Sequence, residues 1–345
     1  MSEGGQQPLD QLQRPLHDLR ISVIDRCNFR CPYCMPVSEY AADHEFMARA
    51  DWLTFDEIKR VAWAFNQLGV SKLRLTGGEP LLRPGLDELV ALLRQIDGIE
   101  EIAMSTNGLL LPRYASDLKA AGLDRITVSL DSVDQAGFGE MSGGQGTLDG
   151  VLAGIDAAHA AGFPPVKINM VVIRGENEDQ VLPMVQRFRQ HGVIVRFIEY
   201  MDVGNRNGWR LDQVVPWREL LQRITERWPL TAVAPRHAGE VAKRYRFADG
   251  QGEVGFITSI TEPFCGGCSR ARLAADGQLY TCLFAGHGHD IRSALRAGID
   301  QDGLQGLLAA IWRGRTDRYS ELRLVQQQDH AQVADQRVEM YRVGG

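Results

Sequence analysis

The 345-residue sequence has no surplus of basic residues: 38 lysines and arginines stand against 44 aspartates and glutamates, a formal charge of −6. That balance excludes a general polyanion-binding surface and argues against nucleic acid as a partner, while leaving room for a local basic pocket around one phosphorylated small molecule. No apolar run approaches the roughly 20 residues that cross a bilayer. The first residues, MSEGGQQPLDQLQ, carry no basic stretch followed by an apolar core, so neither a membrane nor an export signal is expected and the protein is placed in the cytoplasm. Low-complexity tracts are absent. Cysteine is scarce, six in all, and in a reducing compartment those six read as thiolate metal ligands before disulfides.

What is present is ordinary globular composition, 44% hydrophobic and 24% charged, enough to bury a substantial core. Short apolar strands alternate with amphipathic helices from about Leu19 to Met201, the pattern of βα units around a parallel sheet. Strands are expected at Leu19–Val23, Lys72–Leu75, Glu101–Met104, Arg125–Leu130, Val166–Val172 and Val193–Glu199. Helical stretches include Phe55–Leu68, opened by a Thr54/Glu57 capping box, Leu86–Arg94, Leu148–Ala161 and Asp179–His191. Six units are too few for a closed eightfold barrel and imply an α/β fold of the partial, open (β/α)6 TIM-like kind, active at the C-terminal strand ends. Those ends carry the cysteine loop, Gly77-Gly78-Glu79-Pro80, Ser105-Thr106-Asn107-Gly108, Ser129, Asp131, Glu199 and Met201. Residues 1–18 read as an N-terminal extension and 19–203 as the barrel. Gly204–Gly208 is turn-rich, and 204–345 reads as a smaller second region with β-like pieces at Gly252–Thr258 and Gln278–Cys282, a helix near Leu304–Trp312 and a polar tail.

The cysteines fall into two sets of three. Cys27, Cys31 and Cys34 form C-x3-C-x2-C on a loop, which does not match the paired C-x2-C sets of structural zinc sites. Three thiolates can hold three irons of a cubane and leave the fourth open for a substrate or co-substrate. Three unrelated thiols, or a zinc loop, are the alternatives. Nearby, Gly77 and Gly78 permit close backbone approach and Glu79 can pair with an ammonium; taken alone, that run is also an ordinary turn. Cys265-Gly266-Gly267-Cys268 with Cys282 thirteen residues on offers a second triad. It suits either a second three-ligand iron–sulfur cluster or zinc completed by His287 or His289. Beside it, Arg270 and Arg272 alternate on an extended segment, suited to bidentate phosphate binding or to a solvated strand face.

The first triad and the aromatic Tyr33 before its last cysteine resemble the radical S-adenosylmethionine (SAM) superfamily. The chain as a whole is similar to one family within it, molybdenum cofactor biosynthesis protein A, the GTP 3′,8-cyclases. The similarity runs through Leu19–Cys31, Leu73–Leu81, Ser105–Gly108, Val128–Asp131, Lys167–Asn169, Arg196–Met201, Phe264–Leu273, Cys282–Phe284 and the terminal Gly344-Gly345. Ile24, where threonine is common, and Val343, where isoleucine is common, are departures at positions with no ligand role.

The resemblance implies a radical SAM barrel with a smaller C-terminal iron–sulfur region, and two [4Fe–4S] clusters, on Cys27, Cys31 and Cys34 and on Cys265, Cys268 and Cys282. SAM would bind at Tyr33, Gly78, Ser129 and Met201. GTP would meet Arg20, Arg74, Thr106, Lys167, Arg270, Ala271 and Arg272, with Arg270 and Arg272 also catalytic. A triphosphate of about four negative charges needs several such cations in a partly dry cavity. A 5′-deoxyadenosyl radical would take hydrogen from ribose C3′ of GTP, the C3′ radical would attack guanine C8, and a further electron and proton would complete 3′,8-cyclo-7,8-dihydro-GTP, a lyase reaction that opens molybdenum cofactor biosynthesis. A low-potential flavodoxin- or ferredoxin-type electron donor and a downstream cyclic pyranopterin monophosphate synthase are the implied partners, with the chain a monomer or homodimer. A C-terminal diglycine is ordinarily a frayed end; in this family it is a shared signature, and its insertion into the active site is an expectation to test. Two rivals are another auxiliary-cluster radical SAM enzyme that modifies peptides or matures proteins, which would carry more than six cysteines, and a non-catalytic metal-binding redox sensor. Arg49, Trp52 and Gly286–Asp290 read as surface.

Overall fold

The computed structural model describes residues 7–41, 43–235, 239–323 and 337–344. Gly345, with the terminal carboxylate, lies outside the described residues, as do residues 1–6 of the expected N-terminal extension. Six strands run parallel in chain order: β1 (Asp18–Ser22), β2 (Lys72–Thr76), β3 (Glu101–Thr106), β4 (Arg125–Ser129), β5 (Lys167–Val172) and β6 (Ile194–Glu199). Helices α1 (Phe55–Gln67), α2 (Leu86–Arg94), α3 (Leu111–Ala120), α4 (Gln135–Ser142), α5 (Leu148–Ala160) and α6 (Val181–Phe188) connect them.

The strand pattern explains the layering. In β1, Leu19 and Ile21 are fully buried while Asp18 and Arg20 alternate with them; β2 repeats this with Leu73 and Leu75 against Lys72 and Arg74. Period-two alternation sends the aliphatic set to the helices and the charged set to the lumen. The outer layer is one continuous apolar core between sheet and helices. Helix α1 supplies Ile58, Val61, Ala62 and Phe65 to it at helical spacing. Its start has the expected reciprocal cap: Glu57 N donates to Thr54 Oγ1 at 3.1 Å and Thr54 N to Glu57 Oε2 at 2.7 Å. The helix expected at Asp179–His191 is shorter, a 3-10 turn at Glu178–Gln180 followed by α6. Pro183, which cannot donate a backbone bond, is confined to the first turn of α6.

The second region does not build a sheet of its own. After α7 (Trp217–Arg227) come β7 (Leu230–Val233), β8 (Ala242–Phe247), β9 (Glu253–Ile257), β10 (Arg270–Leu273), β11 (Gln278–Tyr280) and β12 (His289–Asp290). All join one twelve-stranded sheet, ordered β12-β11-β10-β1-β2-β3-β4-β5-β6-β9-β8-β7. Strand β9 adds parallel to β6, and β10 adds parallel to β1 on the opposite edge. The chain between β9 and β10, which carries Cys265 and Cys268, therefore crosses from one edge of the partial barrel to the other, and the sheet stays open. Two further helices, α8 (Ile291–Arg296) and α9 (Gln301–Arg313), follow, and α9 packs on α1. The tail returns as a short helix, α10 (Met340–Val343), against β1, and Val343 is fully buried. Among the described residues no helix is long and apolar enough to cross a membrane.

Candidate active site

The two cysteine triads sit at opposite ends of the parallel strands. Cys27 follows the C-terminal end of β1, whereas Cys268 precedes the N-terminal end of β10, which pairs in parallel with β1. Cys282 follows β11, antiparallel to β10, and so returns to the Cys268 end. Between the ends lies a cavity of about 310 Å³, lined by Cys265, Cys268 and Cys282 and reaching Met201. Met201 stands next to the first triad's loop: Asn207 Nδ2 donates to the Met201 and Tyr33 carbonyls at 3.2 and 3.4 Å.

Nine cationic side chains and four carboxylates line this cavity. Their arrangement follows from the register. The rung nearest the second triad alternates in sign across four strands, Arg270, Asp18, Lys72 and Glu101. Lys72 Nζ lies 3.1 Å from Glu101 Oε1, and Arg125 Nη2 reaches the same oxygen at 2.5 Å. Burial pushes the Asp18 carboxyl up, but His17 and Lys72 outweigh it and hold it down at about 2. The next rung has one sign only: Arg272, Arg20 and Arg74 face each other across β10, β1 and β2. Like charges directly opposed on neighbouring strands are destabilising, and the protonation equilibria register it. Burial and then Arg272 and Arg74 hold Arg20 well below the ordinary guanidinium range; burial and then Arg270 bring Arg272 to about 10; burial and then Arg74 bring Arg196 to about 10. Gathering like charges in a buried place is costly, and an anion beside them would relieve that cost.

Of the residues read from the sequence, Arg20, Arg74, Lys167, Arg270, Arg272 and Met201 line the cavity. Ala271 turns its side chain into the core and pairs by backbone with Leu19. Thr106 stands apart, its hydroxyl donating to Glu79 Oε1 at 2.7 Å. Glu79 also accepts from the backbone of Asn107 and Leu81, and burial raises its carboxyl to about 7. It thus fastens the loops after β2 and β3 together. Gly77 and Gly78 are required by close approach: a Cβ on Gly77 would lie 2.7 Å from the Ile24 carbonyl, and one on Gly78 would collide with the Arg26 carbonyl beside Cys27. Tyr33 Oη donates at 2.7 Å to Asp131, whose carboxyl burial raises to about 6. Ser129 ends β4, opposite Asn169. Glu199 is a structural acceptor for Trp217, Ile260 and Thr261.

Sequence reading passed over Lys72, Arg125, Arg196 and Arg315, which complete the cationic lining. The signal existed for Lys72, two residues before Arg74 and so on the same strand face. Trp52, expected at the surface, is 6% exposed, donates to Asp25 Oδ1 at 3.2 Å and lies under the Arg83 guanidinium. The tail enters the barrel: Arg272 Nη1 donates to the Val343 and Gly344 carbonyls at 3.2 and 2.5 Å, and Arg20 Nη1 approaches the Gly344 carbonyl at 3.5 Å.

Both triads present thiols suited to iron–sulfur ligation. Burial raises Cys27 to about 12 and raises Cys31 and Cys34 as well, so metal binding there would displace their protons. At the other end burial opposes ionisation of Cys268, but Arg270 and Arg315 outweigh it and bring the thiol to about 6. Arg315 Nη2 and Arg270 Nη2 lie 3.2 and 3.4 Å from its sulfur. His287 and His289 are exposed, and among the described residues no three His, Cys, Asp or Glu side chains gather around a single-ion position. A cubane, whose thiolates bind different irons, does not ask for that gathering.

A family model described as the radical SAM superfamily matches residues 21–188, and one described as Molybdenum Cofactor Synthesis C matches residues 193–321. The chain is 51% identical over 335 residues to a GTP 3′,8-cyclase of Acidothermus cellulolyticus, spanning 96% of this chain and 92% of the relative. It is 53% identical over 338 residues to one of Xanthomonas campestris pv. campestris, covering 97% of each. Among solved structures, Streptococcus suis SuiB bound to S-adenosylmethionine superposes with a TM-score of 0.58 at 15% identity, over 77% of this chain and 60% of SuiB. This chain spans about three fifths of SuiB's length, and the likeness is one of fold.

Proposed function

The chain belongs to the GTP 3′,8-cyclase family of radical SAM enzymes, and from that membership we propose how its cavity carries out the first step of molybdenum cofactor biosynthesis. The observation that carries the proposal is the rung of three arginines, Arg272, Arg20 and Arg74, lining a cavity between the two ends of the strands that bear the cysteine triads. The triphosphate of GTP binds along this rung, with Lys167, Arg196 and Arg270 adding charge-assisted bonds. Arg270 and Arg272 hold the reacting nucleotide and are the pair to which a catalytic role is assigned.

Cys27, Cys31 and Cys34 hold one [4Fe–4S] cluster and Cys265, Cys268 and Cys282 a second. SAM sits at Tyr33, Gly78, Ser129 and Met201. When bound, the first cluster would supply the electron that cleaves SAM to a 5′-deoxyadenosyl radical; loss of the C3′ hydrogen of GTP to that radical, bonding of C3′ to guanine C8, and uptake of one further electron and one proton would complete the product. The protein's own contribution is placement and exclusion. Asp131 fixes Tyr33, Glu79 fixes the loops around Gly78, and the returning tail closes the barrel on the Arg20 and Arg272 side. Exclusion of water and stray hydrogen donors matters because a primary alkyl radical attacks almost anything adjacent.

The reaction is classed as a lyase step. Electrons come from a low-potential flavodoxin- or ferredoxin-type donor, and the product passes to cyclic pyranopterin monophosphate synthase. Anaerobically reconstituted protein given SAM, reductant and GTP is expected to form 5′-deoxyadenosine together with a product convertible to a pterin. SAM cleavage with GTP returned unchanged would refute the substrate assignment.

A further inference from the structure

Behind the second triad lies a network of four charged side chains, three of them buried and Asp317 partly exposed. Asp10 and Arg14 come from the segment before β1, and Arg315 and Asp317 from just after α9. The side chains of Asp10, Arg14 and Arg315 are at most 2% exposed. Arg14 Nε donates to Asp10 Oδ2 at 2.6 Å, and Arg315 Nη1 lies 3.4 Å from the same oxygen. Trp312 Nε1 donates to the Arg14 carbonyl at 3.1 Å, and the Arg315 guanidinium lies 4.6 Å over the Trp312 ring.

Every cysteine-bearing segment of the second triad is tied to this network. Arg14 Nη1 donates at 2.8 Å to the carbonyl of Cys265 and at 2.8 Å to that of Asp317. Arg315 donates at 2.7 Å to the carbonyl of Cys268 and at 3.2 Å to its sulfur. Asp317 Oδ2 accepts at 2.6 Å from Thr281, the residue before Cys282, and at 3.3 Å from Arg315 Nε. Buried ion pairs of this kind are seldom the most stable way to fill a core, and their retention points to a positional role. Groups one bond behind metal ligands fix their orientation, and N–H donors to a thiolate sulfur favour the more negative, reduced state of a cluster.

We infer that Asp10, Arg14, Arg315 and Asp317 are positioning residues that hold Cys265, Cys268 and Cys282 ready for an iron–sulfur cluster, and that Arg315 raises that cluster's reduction potential. The inference rests on the second-cluster reading, so its test separates the two. Full-length protein with Cys27, Cys31 and Cys34 all replaced by alanine is reconstituted anaerobically, and its iron, sulfide and redox titration are measured. If this parent takes up no iron, the second-cluster reading fails. If it does, Arg315→Gln and Asp10→Asn in the same background are expected to surrender iron to a chelator about 10- to 100-fold more readily. The cluster left in Arg315→Gln is expected to titrate at a more negative potential, a change that a merely structural residue would not produce. Arg315→Lys, which keeps the charge and one donor, is expected to fall between. With all six cysteines present, the response of the first cluster's paramagnetic resonance spectrum to added SAM is expected to persist in each variant. Retention and potential equal to the parent's would overturn the inference, and so would parallel loss of iron from both triads, which would make the network a general element of the fold.

Discussion

Replacing Arg196 by methionine is expected to make the nucleotide-free protein more stable and its hold on GTP weaker. Methionine can keep the aliphatic packing of the arginine stem while removing the charge. The guanidinium is held at about 10 against an ordinary 12.5, chiefly by burial and then by Arg74 and Arg125. That difference corresponds to roughly 3 kcal/mol of unfavourable charge burial. Because the group is a base and its folded value is the lower one, the penalty is fully present at every pH below about 10 and disappears only above 12.5. Taken as a ceiling, and at roughly 2 °C per kcal/mol for a chain of this length, it gives a rise of a few degrees in the melting midpoint. With nucleotide the sign reverses. Loss of a charge-assisted contact worth about 1.5–3 kcal/mol weakens binding roughly 10- to 100-fold. Anaerobic thermal denaturation with and without GTP reads both effects, since a ligand that binds only the folded state raises the midpoint according to its affinity. A variant that melts lower without GTP, and gains as much from GTP as the parent, would refute the reasoning.

The tail offers a second test. Gly344 has φ +66°, and a Cβ there would collide with Thr76, so Gly344→Ala is expected to displace the tail from Arg272. Product formation should fall on the order of 10- to 100-fold with iron content unchanged. Glu79 titrates at about 7 rather than 4.5 because it is buried, so its contribution to stability is complete below 4.5 and is lost as pH rises through 7; between pH 6 and 8 the change is about 1 kcal/mol. Denaturation midpoints at those two pH values should show this component in the parent and not in Glu79→Gln. Thr54→Ala removes the cap of α1 and should cost about 1 kcal/mol in urea denaturation, with turnover per folded molecule unaltered.

The six-unit barrel was legible because each inner strand carries its own pattern: Leu19 and Ile21 flank Arg20, and Leu73 and Leu75 flank Arg74. The cysteine spacings likewise stand in the sequence as chemistry. Harder to read was where β9 and β10 dock, because a parallel partner some 250 residues away, as Ala271 is from Leu19, leaves no mark on the local sequence. Arg125 and Arg196 escaped notice for a related reason. A charged residue alternating with aliphatics looks the same whether its face meets water or a lumen, and only closure of the sheet decides between them. Asp10 and Arg14 belong to a segment without periodicity, so nothing marked them as buried. The tail looked polar, yet Val343 is sealed inside by a short helix too brief to show an amphipathic pattern.

In the proposed reaction the cavity sets C3′ of GTP before the carbon radical derived from SAM. GTP carrying deuterium at C3′, incubated anaerobically with the reconstituted protein, SAM and reductant, tests it directly. Deuterium is expected in 5′-deoxyadenosine and not in the cyclised product; product formed alongside unlabelled 5′-deoxyadenosine would overturn this placement.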